Sequence, residues 1–274
     1  MLSPALGAVY IHPVKSLAAH AADKVAVEPW GLDGDRRWML IDNENRVVTQ
    51  RQQPRMAQLS AEPLPDGGVS LSAPGGPSLT VGAPDPVTTV AAELHRSKVE
   101  VVPASEDAHT WFSARLDAEV RLVHLDAPSH RRPVDPEFGR PGETVSLADG
   151  FPLLLTTRSS LDALNSLVAR GDHPEEGPLP MDRFRPNVVV EGTAPWAEDG
   201  WRRIAIGEVA FRLVKPCGRC VITTTDQRTA ERGKEPLRTL ARHRREGKHL
   251  LFGQNMIPEA TGVIRVGDPV TVLG

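Results

Sequence analysis

The two cysteines of this chain lie three positions apart, in the segment Cys217-Gly218-Arg219-Cys220. A thiolate is a strong ligand for soft metal ions, and it is also the reactive form of cysteine in thiol–disulfide exchange. A disulfide scaffold is excluded, because 274 residues hold only these two cysteines. The spacing therefore indicates redox or metal chemistry in a reducing compartment.

Four interpretations of the pair remain open from the residues alone. A thioredoxin-like pair needs a helix that starts at the motif, but residues 221–225 (VITTT) are typical of a strand. A zinc site needs two more ligands, and His243 and His249 lie farther along the chain than the usual finger spacing allows. The remaining interpretations are two small buried thiols at a strand end, and a single thiolate ligand to a heavier metal. Arg219 would favour the ionised form of such a ligand.

Basic side chains beside predicted turns are candidate ligands for an anionic cofactor. Arginine binds phosphate through paired hydrogen bonds, and lysine acts as a point charge. Three segments place such a group at a strand end with hydroxyl or amide donors nearby: His12-Pro13-Val14-Lys15-Ser16, Asp33-Gly34-Asp35-Arg36-Arg37-Trp38 and Arg183-Phe184-Arg185-Pro186-Asn187. Each segment alone is equally compatible with a solvated charge, so the prediction depends on their meeting in space.

Other chemical motifs receive less support. The sequence contains no GxGxxG, GxxxxGK[ST] or GxSxG pattern, which gives no basis for those nucleotide loops or for a serine nucleophile elbow. Arg238, Arg242 and Arg245 recur at helical spacing near the C-terminus. They could dock an acidic redox partner or nucleic acid, and a solvated helix face explains them equally well.

The overall composition is that of a soluble globular protein, with 40% hydrophobic and 24% charged residues. The net charge of −3 argues against a protein that coats nucleic acid or an acidic membrane. No apolar run approaches the roughly 18 residues of a membrane helix, and the N-terminus lacks the features of an export signal. We expect a cytoplasmic protein with neither nucleic acid nor a membrane as partner.

The elements that must position these residues are predominantly short strands. Twenty-five prolines and 23 glycines divide the chain into short pieces. Nine of these pieces mix β-branched residues with partial alternation: VVTQR, VSLSA, LTVGA, KVEVV, VRLVHL, VVVEG, RIAIGEVAFRLV, CVITTT and VIRVGDPVTVL. The last predicts a hairpin that turns at Gly267-Asp268-Pro269.

Helical patterns cover only residues 109–116, 159–168 and 236–246. Strands thus dominate and helices decorate them, which favours closed or curled antiparallel sheets. The predicted fold class is mainly β with a few helices, of the β-barrel type.

An ordered set of motifs resembles a known family. The segments HPVKS, GLDGDRRW, RQQPR, DGFPLLLTT, RFRPN, CGRCVITTTD, KEPL, FGQN and VGDPV occur in that order between Val9 and Leu273. Together they resemble the MOSC proteins that carry an N-terminal β-barrel domain, a family that includes the mitochondrial amidoxime-reducing components and their bacterial counterparts. The resemblance implies an N-terminal MOSC β-barrel domain over residues 1–117 and a MOSC domain over residues 118–274. The sequence departs from these relatives in two respects: we expect no N-terminal membrane anchor, and no C-terminal ferredoxin-like domain of the kind that many bacterial relatives carry.

The resemblance implies a molybdenum cofactor, Mo-molybdopterin, and no pyridoxal phosphate. The second cysteine of the motif, Cys220, would be the metal ligand and the catalytic residue. The cofactor contacts implied by matching motif positions are Lys15, Ser16, Arg36, Asp149, Gly150, Thr157, Arg185, Asn187, Gly218, Arg219 and Asn255. Gly218 stands where some members have Ser, and Asn255 stands where animal members have Tyr.

The activity implied is the reduction of small N-hydroxylated compounds by removal of oxygen at the metal. The electrons would come from a separate donor, such as a ferredoxin- or flavin-type reductase. The alternatives are a non-catalytic carrier of molybdenum cofactor or sulfur, and a zinc-stabilised binding protein. The molybdenum hypothesis predicts that Lys15, Arg36, Arg185 and Cys220 line one pocket, in a cleft between two β-rich domains.

Overall fold

The computed structural model describes residues 3–95 and 97–274 of the chain. Within these ranges strands dominate, as the sequence predicts, and four α-helices decorate them. The helices are α1 (Glu106–Leu116), α2 (Pro128–Arg131), α3 (Arg158–Val168) and α4 (Leu237–His243). Short 3₁₀ helices occupy Pro54–Gln58, Pro174–Glu176, Met181–Phe184, Ala197–Gly200 and Val221–Thr224.

The strands are short, consistent with the frequent prolines and glycines between them. In chain order they are β1 (Ala5–Ile11), β2 (His20–Ala22), β3 (Lys24–Glu28), β4 (Gly31–Leu32), β5 (Trp38–Ile41), β6 (Val47–Val48), β7 (Ser60–Pro63), β8 (Val69–Ser72), β9 (Leu79–Val81), β10 (Val90–Leu94), β11 (Ser97–Pro103), β12 (Arg121–His124), β13 (Leu153–Thr157), β14 (Val188–Glu191), β15 (Arg203–Ile206), β16 (Val209–Gly218), β17 (Arg245–Glu246), β18 (His249–Pro258), β19 (Gly262–Arg265) and β20 (Val270–Val272).

The largest sheet has the strand order β2-β1-β14-β13-β18-β16-β15-β20, with β17 paired to β18. Only β13 and β14 run parallel within this described sheet. The central strand β14 is buried on both faces. Val188 and Val190 pack into the main core, whereas Val189 packs with Leu161 and Leu164 of α3. This two-sided burial explains why the segment reads as a continuous apolar run.

Three smaller sheets complete the fold, in the orders β10-β11-β12-β5-β6, β19-β3-β4 and β7-β8-β9. Helix α1 packs against β9 and β12, where Phe112 and Leu122 share a core with Trp38. Strand β12 lies beyond residue 117 and still pairs with β5 and β11. The domain division at 117/118 stays a prediction.

The predicted hairpin near the C-terminus is wrong. Strand β19 pairs with β3, and β20 pairs with β15, so the Gly267-Asp268-Pro269 segment connects two different sheets. The predicted strand CVITTT is also wrong, because Val221–Thr224 forms a 3₁₀ helix. There the Thr223 hydroxyl donates to the carbonyl of Cys220 and the Thr224 hydroxyl to that of Val221. Such local hydroxyl bonds compete with a strand ladder.

The two ends of the chain meet in the largest sheet. Strand β1 is antiparallel to β14, with Val9 opposite Val188, and Ala5 bridges to Pro269. The chain that leaves β1 therefore runs beside the chain that enters β14, and the backbone amide of Tyr10 donates to the carbonyl of Asn187. This pairing brings the motif at residues 12–16 next to the motif at residues 183–187.

Candidate functional site

One cavity gathers side chains from motifs that are far apart in the sequence. It encloses about 130 Å³, and about 760 Å³ of free space when its solvent-open mouth is included. Nine of the twelve predicted site residues line it: Lys15, Ser16, Arg36, Asp149, Arg185, Asn187, Gly218, Arg219 and Cys220. The structure therefore brings the four residues that the molybdenum hypothesis singles out to a single place.

Lys15 is the buried member of an ion pair with Asp149. Its Nζ donates to the carbonyl of Leu147 at 2.9 Å and to Oδ1 of Asp149 at 2.5 Å. Burial lowers the pKa of Lys15 to about 8, although the Asp149 carboxylate opposes that shift. The side chain of Asp149 is 62% exposed, yet Lys15, together with His95, holds the pKa of this carboxyl well below its usual range. The pair is therefore charged at neutral pH.

Arg36 ties the segment after β1 to the segment before β14. Its Nη1 donates to Oδ2 of Asp35 at 2.6 Å and to Oδ1 of Asn187 at 2.9 Å. Its Nη2 reaches the carbonyl of Arg185 at 3.3 Å. Oδ1 of Asp35 also accepts the backbone N–H of His12 at 2.8 Å. These charge-assisted bonds fix the segment at residues 12–16 and the segment at residues 183–187 relative to each other.

His12 makes a second tie between these two segments. Its Nε2 lies 3.2 Å from the carbonyl oxygen of Pro186. Burial, followed by repulsion from Arg36 and Arg185, lowers the pKa of His12 well below its usual value, so the ring is neutral. Because a carbonyl can only accept, Nε2 must carry the proton of this neutral ring.

Three residues of the cavity adopt left-handed backbone conformations that favour glycine. The φ angles are +69° at Ser16, +47° at Arg36 and +53° at Arg185. Each such non-glycine residue costs on the order of 1–3 kcal/mol, and residues of this kind cluster at functional sites. The surrounding hydrogen bonds therefore fix this backbone against its own preference.

Arg185 keeps a buried positive charge at the cavity. Its Nη1 donates to the carbonyl of Leu17 at 2.6 Å, and its Nη2 is buried with no hydrogen-bond partner in the described structure. Burial and the charge of Arg36 lower the pKa of Arg185 to about 9. The guanidinium is thus protonated at neutral pH and has a free donor.

Each cysteine has its own guanidinium neighbour. Nη2 of Arg51 lies 3.4 Å from Sγ of Cys220 and 3.5 Å from Oδ2 of Asp149. Burial alone would lower the pKa of Arg51, but the charges of Cys220 and Asp149 raise it. Nη1 of Arg219 lies 2.9 Å from Sγ of Cys217, and its Nη2 donates to the carbonyl of Phe184. Both thiols are half-buried and face the polar cavity.

Three predicted contacts lie outside the cavity lining. The Thr157 hydroxyl caps α3 by accepting the N–H of Ser160, and it is fully buried. The amide of Asn255 donates to the carbonyl of Lys215 between β18 and β16. Gly150 follows Asp149 but does not line the cavity. The geometry gives Thr157 and Asn255 structural roles, and the cofactor contacts of all three residues stay predictions.

Sequence reasoning missed several residues that the structure places in the lining. These are Thr49, Arg51, Ala148, Phe151, Leu153, Leu154, Phe184, Ile222 and Thr223. Arg51 had a signal, because it begins the RQQPR motif, although no role was assigned to it. Phe151, Leu153, Leu154, Phe184 and Ile222 also lie inside the quoted motifs, but their apolar side chains do not distinguish a cavity wall from a core position.

The donor set of the cavity fits a ligand that carries both a soft metal and anionic oxygens. A half-buried thiol supplies the soft ligand. Nη2 of Arg185 and Nε of Arg219 are buried donors without a partner in the described structure, and unpaired buried donors are costly unless a ligand satisfies them. The enclosed part of the cavity, about 130 Å³, is smaller than typical cofactor pockets of about 300–1,000 Å³, so a ligand of that size would extend into the open mouth.

The described residues provide no complete zinc-ligand set around the two cysteines. Within residues 3–95 and 97–274, no third His, Cys, Asp or Glu forms a metal-ligand cluster with the two cysteines. A cluster of the right residue types occurs elsewhere, at His173, Glu175 and Glu176. However, Glu176 already accepts the backbone amides of Lys234 and Glu235.

A search of the helices in the described ranges finds none with the length and apolar character needed to cross a bilayer.

Family models match both halves of the chain. The MOSC N-terminal beta barrel domain matches residues 3–119, and the MOSC domain matches residues 142–271. The second match contains the two cysteines, and the first contains Lys15 and Arg36.

Similar proteins extend over nearly the whole chain. Mitochondrial amidoxime-reducing component 1 of Homo sapiens is 33% identical, over 97% of this chain and 82% of that protein. Mitochondrial amidoxime reducing component 2 of Homo sapiens is 31% identical, over 96% of this chain and 81% of that protein. The molybdenum cofactor sulfurase of Danio rerio is 30% identical, over 85% of this chain but only 30% of that protein.

Among solved structures, the YUAD protein from Bacillus subtilis is 12% identical with a TM-score of 0.44. That match covers 98% of this chain and 94% of that chain.

Proposed function

This chain belongs to the family of MOSC proteins with a MOSC N-terminal beta barrel domain, and from that premise we propose that it is a molybdenum-cofactor-dependent reductase of N-hydroxylated compounds. One observation carries the proposal: a half-buried thiol, Cys220, shares a cavity with the buried Lys15 and the half-buried Arg36 and Arg185. Such a cavity matches a metal held by sulfur on a cofactor with anionic oxygens.

Different residues of the cavity would bind different parts of the cofactor. Sγ of Cys220 would hold the metal, and Lys15, Arg36 and Arg185 would bind the anionic oxygens. Asn187 orients Arg36 through its Oδ1. When bound, the cofactor supplies a metal that takes up oxygen and exchanges two electrons, and the protein binds, orients and insulates it.

The reaction balances with two electrons and two protons. The N–O bond of R–NH–OH breaks, the nitrogen and the oxygen take up protons, and R–NH₂ and H₂O leave. The electrons come from a separate donor. On the protein side, Nζ of Lys15 can hold and release a proton near neutral pH, because burial places its pKa at about 8. Asp149 bridges this ammonium to Arg51 and His95 at the cavity mouth.

The two cysteines give a matched test. The protein and its Cys220→Ala and Cys217→Ala variants are produced in a host that makes molybdenum cofactor. Molybdenum content and reduction of an aromatic amidoxime by reduced methyl viologen are then measured. We expect wild type and Cys217→Ala to hold close to one metal and to turn over, and Cys220→Ala to do neither. Full metal and activity in Cys220→Ala would refute the proposal.

A second candidate function rests on Cys217. Its thiol has its own guanidinium, Arg219, at 2.9 Å, and it is not needed as the metal ligand. A sulfur or cofactor carrier would use such a thiol to hold a persulfide. Detection of a persulfide on Cys217 by mass spectrometry, in a metal-loaded protein that reduces no hydroxylamine or amidoxime, would favour this carrier.

A further inference from the structure

The segment that follows the cysteines forms an exposed basic surface. Residues 232–248 contain seven Lys and Arg and only two Glu, in a chain whose net charge is −3. One of the two acids, Glu235, is fully buried. The exposed cations are Arg232, Lys234, Arg238, Arg242, Arg245 and Lys248, which we call the basic face.

Neighbouring carboxylates neutralise only part of the basic face. Asp172 binds both Arg238 at 3.0 Å and Arg242 at 2.6 Å, so one negative charge serves two positive charges. For the other four cations, no carboxylate oxygen lies within 4 Å in the described part of the chain. A concentration of like charge repels itself, and it also creates a field that attracts an oppositely charged partner.

Parts of the basic face contact the segments next to Cys220. Helix α4 packs on the 3₁₀ helix Val221–Thr224, which starts directly after that cysteine. Nη2 of Arg232 donates to the carbonyls of Gln50 and Arg51, and the Arg51 side chain contacts Sγ of Cys220. On the other side, the amide of Arg219 donates to the carbonyl of Leu250, at the start of β18.

A groove beside β17 adjoins this surface. It contains about 1280 Å³ of free space, open solvent included. Its lining is predominantly polar and holds more cations than carboxylates: Lys215, Arg202, Arg244 and Arg245 against Asp199 and Glu246. The excess of positive charge therefore continues into this groove.

We propose that the basic face docks an acidic one-electron carrier protein, which supplies the reductant of the cavity. This inference rests on the proposed function. Each turnover needs two docking events, each of which passes one electron from a reduced electron carrier toward the site held by Cys220. With two protons from solvent, R–NH–OH becomes R–NH₂ and H₂O, and two oxidised electron carriers are released.

The distribution of charge favours a small acidic protein over a polyanion. The excess of cations is confined to 17 residues, and the rest of the chain is net acidic. A DNA duplex or an anionic bilayer would extend past the basic face and meet that acidic remainder. A compact acidic protein can match the basic face alone.

The test combines binding with two reductants. The holoenzyme and an Arg245→Glu/Lys248→Glu variant are titrated with a plant-type [2Fe–2S] ferredoxin by calorimetry at low salt. Amidoxime reduction is then driven either by that reduced ferredoxin or by methyl viologen. The matched control is Lys24→Glu/Arg265→Glu, which reverses two exposed cations on the β19–β3 sheet.

We expect the Arg245/Lys248 variant to lose at least about tenfold in ferredoxin affinity and in ferredoxin-driven kcat/KM, with less salt dependence, and to keep its viologen-driven rate. The control should change by less than about twofold. Equal losses in both variants, no ferredoxin binding by wild type, or tight binding of duplex DNA or phosphatidylglycerol vesicles that depends on Arg245 and Lys248 would overturn the docking proposal. Absence of viologen-driven turnover would instead refute the proposed function, and the calorimetry would still decide the docking proposal.

Discussion

Nη2 of Arg51 lies 3.4 Å from Sγ of Cys220, so a cation from the segment after β6 rests against a thiol 169 positions later. A positive charge in contact with a sulfur atom raises its reactivity as a nucleophile. In apoprotein with Cys217→Ala, we expect Arg51→Met to slow alkylation of Cys220 by iodoacetamide at neutral pH. The decrease should reach up to about tenfold, which corresponds to about 1.4 kcal/mol. Arg55→Met, an exposed change in the same motif, should leave the rate as it is. Equal rates in all three proteins would contradict the contact.

Lys15 should impose a pH dependence on stability at alkaline pH. Burial lowers its pKa from 10.5 to about 8. Between these values the unfolded chain holds a proton that the folded chain has lost, so the free energy of unfolding rises with pH. Relative to Lys15→Met, wild type should gain up to roughly 3 kcal/mol across this window.

Urea unfolding at about pH 7.5 and about pH 10 measures the gain for Lys15. The control Lys24→Met removes an exposed lysine, and it should show the wild-type slope. If the free energy of unfolding changed equally with pH in wild type and in Lys15→Met, the ammonium would not be buried as described.

His12 should destabilise the fold in acid. Burial, followed by the charges of Arg36 and Arg185, holds its pKa well below the ordinary value of 6.5. Below pH 6.5 the histidine of the unfolded chain takes up a proton, whereas the buried ring of the folded chain stays neutral. The free energy of unfolding of wild type therefore decreases as the pH falls. The loss approaches about 1.4 kcal/mol per pH unit.

His12→Gln retains an N–H donor for the carbonyl of Pro186 and does not titrate. We therefore expect this variant to lose less stability than wild type between about pH 6.5 and about pH 5, in thermal or urea unfolding. His130→Gln removes an exposed histidine and serves as the comparison. The idea fails if His12→Gln and wild type respond to acid alike.

The left-handed backbone at Ser16 should lower the stability of the fold and support cofactor binding. Ser16 has φ +69°, and Ala230, which lies outside the cavity lining, has φ +62°. Glycine relieves the strain in both cases, so each substitution should raise the free energy of unfolding by up to about 1 kcal/mol. Only Ser16→Gly should also lower molybdenum occupancy, measured by elemental analysis. A fall in occupancy with Ala230→Gly, or none with Ser16→Gly, would contradict this assignment.

The β-rich architecture could be predicted from short segments rich in β-branched residues, and most of the cavity from the motifs that resemble the family. Asn187 illustrates both, since it belongs to the RFRPN motif and directly precedes the β-branched strand β14. The pairing of strands could not be predicted in the same way. A Gly-Asp-Pro turn suits a hairpin and a corner between two sheets equally, and only the partners of β19 and β20 distinguish the two.

Some features of the site could not be predicted from the sequence for similar reasons. A threonine at a strand end can face a cofactor or cap a helix, and Thr157 does the second. The φ angles of Ser16, Arg36 and Arg185 depend on bonds to distant segments, which no local pattern encodes. Arg51 reaches Cys220 only because the fold brings two remote motifs together.

The pairing of β1 with β14 has a consequence for how the molecule is made. Strand β1 pairs with the nearby β2 on one edge, but its other edge is completed only by residues 188–191. That second edge stays unpaired until β14 is available. Because Lys15 follows β1 and Asn187 directly precedes β14, the anion-binding half of the cavity closes only when these two strands meet, and a cofactor can be fully enclosed only after that pairing.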